Sequence, residues 1–316
     1  GMYVVLPLSW HEHPFIKSHF LIESEQEIQR IKEMGIKGIR IDPAQCRLAQ
    51  TPPAGTAPAR AESEQGTTED TVVAEDLLAV IHDGSSPSEK KAQLVHRHST
   101  AMMKSLLEHP TTQNIKEAKK GITEVVKLIL RDDDTLRFLL NITSHDYSTY
   151  THSVSVGVLG IALAKALFKN ASNHDMSALG VGFFLHDVGK IQIDQAIITK
   201  PGKLTPGEMQ EMRRHPSLGF KLLNEARQIT EEAKIIILQH HERSDGRGYP
   251  KGLRGKDIHL YGRICSIADV YDALTSQRPY RPSLPQFEAL KLMLDEMIDH
   301  FQKELFQKFV LLFKAP

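Results

Sequence analysis

Two short stretches hold most of the residues in this chain whose types and spacing could do chemistry together. They are His186-Asp187-Val188-Gly189-Lys190, and His240-His241 followed by Asp245-Gly246-Arg247-Gly248-Tyr249-Pro250. Each sets two potential metal ligands side by side, an imidazole with a carboxylate in the first and two imidazoles in the second. Neither dipeptide says much alone. His152, His215 and Asp269 add donors of the same chemistry along the same part of the chain, and seven are too many for one ion. None is a sulfur ligand. Imidazole with carboxylate suits iron, manganese or zinc, and the lack of cysteine argues against structural zinc. A carboxylate such as Asp187 can bridge two ions roughly 3.5–4 Å apart and hold a hydroxide between them.

A lone buried histidine is more often a satisfied polar residue than a ligand, and His152 in an apolar segment would be read that way by itself. His240-His241 is different, because it ends an apolar helix where two unpartnered imidazoles would be costly to bury. Other histidines lack such company. His96 and His98 lie two apart on one helix and point away from each other. These two, with His11, His13, His82, His109, His145, His174, His259 and His300, read as surface or capping residues.

The elements that must position the cluster are helices. From about residue 72 onward the apolar spacing is helical, over Val72 to Ile81, a long helix started by Ser86-Pro87-Ser88-Glu89 and reaching about Glu108, then 112–130, 132–143, 148–168, 174–187, 206–214, 216–226, 230–241, 260–276, 285–299 and 302–313. Thr205 and Glu208 form a capping box, and the 148–168 helix is apolar nearly all round, so it should be buried. Residues 1–50 read as a small α+β module. It has a strand over Tyr3 to Leu8, a helix opened by Ser24 and Glu27 and closed by Gly35, and a strand over Ile36 to Ile41. Residues 51–71 are rich in Pro, Ala, Gly, Thr and Glu and cannot bury enough apolar surface to offset chain entropy, so they read as a flexible linker. The fold class is mainly α: residues 72–316 form an all-α domain behind the small module.

Composition narrows the function classes. Lys plus Arg equals Asp plus Glu at 39 each, so no global charge excess points to DNA, RNA or an anionic membrane. Cys46 and Cys265 lie far apart with no CxxC pattern, which fits a reducing compartment. No run approaches the roughly 18 apolar residues of a spanning helix. The expectation is a cytoplasmic protein without a membrane span.

Five motifs in order resemble the HD-GYP domain, a bacterial branch of the HD phosphohydrolase superfamily. They are HDVGK at 186–190, KPGKLT at 200–205, RHP at 214–216, HHERSDGRGYP at 240–250 and ADVYDALTSQRPYR at 268–281, within roughly residues 140–283. SWHEHPF at 9–15 resembles the amino-terminal domain of unknown function that often precedes HD-GYP domains. The resemblance implies an HD-type helical bundle that hydrolyses cyclic di-GMP to pGpG and in some members GMP. It assigns one ion to His152, His186, Asp187 and Asp269, and a second to Asp187, His215, His240 and His241, with iron or manganese as the metals. Some members hold a third ion through a glutamate one turn before the first histidine. That position is Ser148, a poor substitute for a carboxylate, so two ions are expected.

The chemistry fits these parts. An anionic phosphodiester repels a nucleophile, and two ions supply both a bridging hydroxide and charge neutralisation. Lys190 would cancel charge on a non-bridging oxygen. Arg278, Arg281 and Lys200 are candidate phosphate contacts, each with a plain surface charge as the alternative. Asp272, three residues after Asp269, would orient a ligand histidine from behind, and Asp245 would hold His241 or a neighbouring loop. Tyr249 would stack on guanine or dock a diguanylate cyclase (GGDEF) partner, although Gly246, Gly248 and Pro250 mark this segment first as a loop. The competing readings are a non-catalytic cyclic di-GMP receptor and a phosphohydrolase of another cyclic dinucleotide.

Overall fold

The structure is a computed structural model. It describes residues 69–142, 148–169, 173–200, 202–277 and 283–314 and, nearer the amino terminus, residues 2–5, 19–22, 28, 32 and 39–41. The chain divides into two units, and the second comprises Gly66–Thr199, Leu204–Gln277 and Ser283–Pro316.

The first unit holds three short strands, β1 (Tyr3–Val5), β2 (His19–Leu21) and β3 (Arg40–Ile41). They pair antiparallel in the order β2-β1-β3, with Val4 opposite both Phe20 and Ile41. β1 and β3 fall inside the strands expected from sequence. β2 was not foreseen, since three residues give no alternation to read. Ile28 and Lys32 are helical, while the Ser24–Glu27 box lies outside the described residues. So do residues 51–68 of the expected linker, and its last residues, Glu69 to Thr71, already belong to the first helix of the second unit.

That unit is helical throughout its described residues. It runs α1 (Glu69–His82), α2 (Ser88–Glu108), α3 (Thr112–Arg131), α4 (Asp133–Asn141), α5 (Thr149–Phe168), α6 (Met176–Phe184), α7 (Gln195–Ile198), α8 (Pro206–Met212), α9 (His215–Glu225), α10 (Glu231–Gln239), α11 (Leu260–Thr275), α12 (Gln286–Glu296) and α13 (Lys303–Val310). Local chemistry sets the ends. Thr205 and Glu208 make the expected reciprocal cap of α8, Thr230 caps α10, and Asp175 accepts from the amides of Ser177 and Ala178 to start α6.

α5 is the middle of the bundle, against α2, α3, α4, α6, α11 and α13. Its apolar circumference is buried as expected, from Val154 through Ala164. It is also long and apolar enough to cross a membrane, which the sequence reading had excluded. Its most apolar window is 67% buried, and core packing accounts for that character. Phe184 and Phe183 of α6 lie against Gly157 and Gly160 of α5, where a methyl group would come within 2.2 and 2.7 Å of the rings. These two glycines let α6 approach α5 closely enough to bring its carboxyl end beside His152.

Candidate metal centre

The ligand candidates sit mostly at helix ends. His152 is in the first turn of α5, and Asp269 lies inside α11. α6, however, stops at Phe184 and not at 187, so His186 and Asp187 occupy the turn before a 3-10 helix, Val188–Gln192. His215 is the first residue of α9, and His240 and His241 follow the last residue of α10. A chain leaving a helix can aim adjacent side chains at one point, which adjacent residues inside a helix cannot do.

Glycine makes the decisive crossing. A methyl group on Gly189 would lie 2.0 Å from the His215 carbonyl oxygen and 2.4 Å from the Gly219 amide. Only with two glycines can the 3-10 turn lie against the first turn of α9, and that contact sets His215 on Asp187.

Four imidazoles are held in one state by the same device. His186 Nδ1 donates to the Phe183 carbonyl at 2.8 Å, His215 Nδ1 to Met212 at 2.8 Å, and His240 Nδ1 to Ile237 at 2.9 Å. His152 Nδ1 donates to Asp272 Oδ2 at 2.6 Å. Every partner is an acceptor, so each Nδ1 carries the hydrogen and each Nε2 keeps its lone pair. Those lone pairs converge: His152 and His186 Nε2 lie 3.3 Å apart, and His215 and His240 Nε2 3.2 Å apart.

Asp187 lies between the two pairs. Its Oδ2 is 3.4 Å from His152 Nε2 and 3.5 Å from His186 Nε2, and Lys190 pairs with the same oxygen. Its Oδ1 is 3.2 Å from His215 Nε2 and 3.6 Å from His240 Nε2, and it is buried with no hydrogen-bond donor. Asp269 spans the groups too, with Oδ1 3.2 Å from His152 Nε2 and Oδ2 3.6 Å from His241 Nδ1. Burial would push the Asp187 carboxyl up, but Lys190 and the facing imidazoles hold it well below the usual range, and the same opposition holds Asp269 low. Burial pushes His215 down and, with His240 beside it, His241 well down, so both imidazoles stay neutral.

Converging lone pairs beside an orphaned carboxylate oxygen are mutually repulsive unless a cation lies among them. Two nitrogens bound to one ion at about 2.1 Å, with an angle near 100° between them, lie about 3.2 Å apart, close to the spacing seen here. Two groups meet the ligand criteria, His152-His186-Asp187 and Asp187-His215-His240-His241, and they share Asp187. The donor set fits divalent metal.

The other expected residues fall out as follows. Ser148 caps α5, its hydroxyl accepting from the Thr151 amide, so that position is engaged in the helix end. Asp245 does not reach for His241; it bonds Arg243 and the Arg247 amide within its own loop. Tyr249 lies on His241, ring centroids 4.6 Å apart, and the Arg213 guanidinium lies over the Tyr249 ring at 5.4 Å. Burial and the two aspartates raise its hydroxyl pKa, which keeps it neutral. Gly246 has the positive φ that the loop needs, whereas Gly248 is required for close approach, its missing methyl falling 2.4 Å from the Arg243 amide. Lys200 is half-buried and groups with the first unit, outside the one that carries the cluster. Arg278 and Arg281 lie outside the described residues.

Two positioning groups escaped sequence reading. Glu242 is buried, and its carboxylate takes the amides of Lys251 and Leu253 at 2.7 and 2.8 Å, tying the GYP loop back to the histidine pair. A carboxylate directly after two ligand histidines was the available signal. The second is His96, read as a surface or capping residue, whose Nε2 is buried with no hydrogen-bond partner among the described residues.

A helical bundle carrying this buried two-sided cluster defines a divalent-metal protein. An HD domain model matches residues 136–305, over half of the chain, and a domain of unknown function (DUF3391) matches residues 1–129. The chain is 34% identical to the cyclic di-GMP phosphodiesterase PA4108 of Pseudomonas aeruginosa, across 98% of this chain and 73% of that protein. It is also 34% identical to the 3'3'-cGAMP-specific phosphodiesterase 1 of Vibrio cholerae, across 64% of this chain and 44% of that protein. Its fold resembles that of Bd1817, an HDG"Y"P protein from Bdellovibrio bacteriovorus, with a TM-score of 0.67 at 19% identity, over 99% of this chain and 94% of that one. The chain belongs to the HD-domain family, in its HD-GYP branch.

Proposed function

We propose that this protein is a metal-dependent phosphodiesterase that hydrolyses cyclic di-GMP. The observation that carries the reading is the division of Asp187, one oxygen toward His152 and His186 and the other toward His215 and His240. One ion takes His152, His186, Asp187 and Asp269, and a second takes Asp187, His215, His240 and His241. Both are iron or manganese. Bound there, the ions supply a nucleophile at neutral pH and neutralise phosphate charge.

The protein's own groups do the rest. His241 and Asp269 are the least buried ligands, with side chains 24% and 12% exposed against 0–1% for the other five, so the cluster opens on their side. Lys190 is 18% exposed and lies against Asp187, where its ammonium can leave the carboxylate oxygen for a phosphate oxygen. Tyr249 holds the ring of His241 from outside. Lys200, Arg278 and Arg281 complete the reading as phosphate contacts. Its domain division is 1–50, 51–71 and 72–316. The amino-terminal family match crosses that boundary, and the helices within it, up to Ile129, pack into the same hydrophobic core as the HD domain.

The test is a cleavage assay on protein purified without oxygen and loaded with iron or manganese, with metal content measured on the same sample. Release of pGpG is the expected result. Tight binding without turnover would replace this reading with that of a receptor. The similarity to a 3'3'-cGAMP-specific relative favours a second substrate, so the assay runs both dinucleotides and compares kcat/KM.

A further inference from the structure

α2 carries three of the buried polar side-chain atoms that lack a partner among the described residues: His96 Nε2, Ser99 Oγ and Thr100 Oγ1. They lie three and four residues apart and so share one face of the helix. Leaving such an atom unpaired is costly, so a polar neighbour is called for at this face. α2 lies against α5, the helix of His152, and against the 3-10 turn of Lys190.

His96 faces a small cavity on the far side of the metal centre. Its wall includes Ser155, Asp272, Thr275 and Ser276, with apolar side chains between them, and its volume is about 30 Å³. That leaves room for water, and a buried water needs two to four polar partners. Asp272 is among the candidates, since it lines the cavity while its Oδ2 takes the His152 hydrogen. Burial holds His96 below its ordinary pKa, against the opposing charge of Asp272, so it acts as a neutral hydrogen-bonding group.

We propose that His96 is a positioning residue for the metal centre, acting through a buried water shared with Asp272 and thence through the Asp272–His152 hydrogen bond. His96 belongs to the region matched by the domain of unknown function, outside the HD match. The inference therefore gives that region an indirect part in positioning a metal ligand. It rests on the metal reading above.

The experiment measures Mn²⁺ affinity of the full chain, stripped of metal, by competition with a fluorescent chelator, together with thermal unfolding of the metal-free protein. His96→Leu and His96→Phe fill the space without a polar atom, whereas His96→Asn keeps a hydrogen-bonding side chain. Loss of this support behind a ligand weakens metal by about 10-fold or more. The expected result is that loss in both apolar variants, near-normal affinity in His96→Asn, and no fall in metal-free stability for at least one apolar variant. Equal affinity in wild type and a folded apolar variant overturns the inference and leaves the metal reading standing. Equal weakening in all three variants also overturns it, because packing alone would then explain the effect. Failure of the wild type to bind either Mn²⁺ or, without oxygen, Fe²⁺ in the same competition overturns the metal reading itself.

Discussion

Asp187 is the residue on which the two halves of the cluster depend, since each carboxylate oxygen faces a different pair of imidazoles. Asp187→Ala should therefore lose both ions at once and all turnover, as measured by elemental analysis of the purified variant. Retention of wild-type metal content would sink the shared-ligand assignment. Lys190→Ala removes a positive charge and no ligand. It should keep the metal and lower kcat, and it should relieve none of the burial that favours neutral imidazoles. Asp272→Asn tests the support behind His152: metal affinity should drop by about 10–100-fold. The histidine pair and the HD pair were legible as candidate ligands from the sequence because His152, His215 and Asp269 add donors of the same chemistry along the same part of the chain. The roles of Glu242 and His96 were not, because a buried acceptor or donor is recognised by what surrounds it, and those neighbours are distant in the chain.

At the scale of elements, helix ends do the positioning. The short turn between α6 and the 3-10 helix brings His186 and Asp187 out of helical spacing, and Gly189 against Gly219 brings α9 down onto them. Gly189→Ala puts a methyl group 2.0 Å from a backbone oxygen, which no rotamer change relieves. Overpacking of this kind costs typically about 1–3 kcal/mol. The variant should lower the urea midpoint and also weaken the second ion, which His215 serves, more than the first. Equal loss of both ions would point to general unfolding instead. Periodicity located the helices well, but it carried the 174–187 helix three residues too far, because apolar residues continue through Leu185 and Val188 while the backbone has already turned.

For the whole molecule, pH sets a checkable limit. His215 and His241 have pKa values below the ordinary 6.5 in the folded state. As pH falls below about 6.5 the unfolded chain takes up protons that the folded chain refuses, so stability is intact above that value and declines beneath it. The folded pKa values of Asp187 and Asp269 are depressed, so their contribution is present above about 4 and is lost only at lower pH. The metal-free protein should lose stability progressively between about pH 6.5 and 5, read as thermal midpoints across buffers. A flat profile there would contradict the buried neutral state of these imidazoles. Bound metal should raise the midpoint at neutral pH, by about 2.7 kcal/mol of stabilisation at 100 times Kd, and that gain should shrink as protons compete for the ligands.

By itself the sequence determined which side chains can ligate, the mainly helical fold class and the family, since these follow from residue type, local spacing and motif order. It could not decide that Asp187 divides its oxygens between two imidazole pairs, or that Nδ1 hydrogen bonds aim four Nε2 atoms inward. Those facts depend on where helices end and how closely they cross, and glycine contacts between distant segments set both. Nor could sequence show that His96 faces the back of Asp272, 176 positions further along the chain, a proximity created only when α2 and α11 pack around α5.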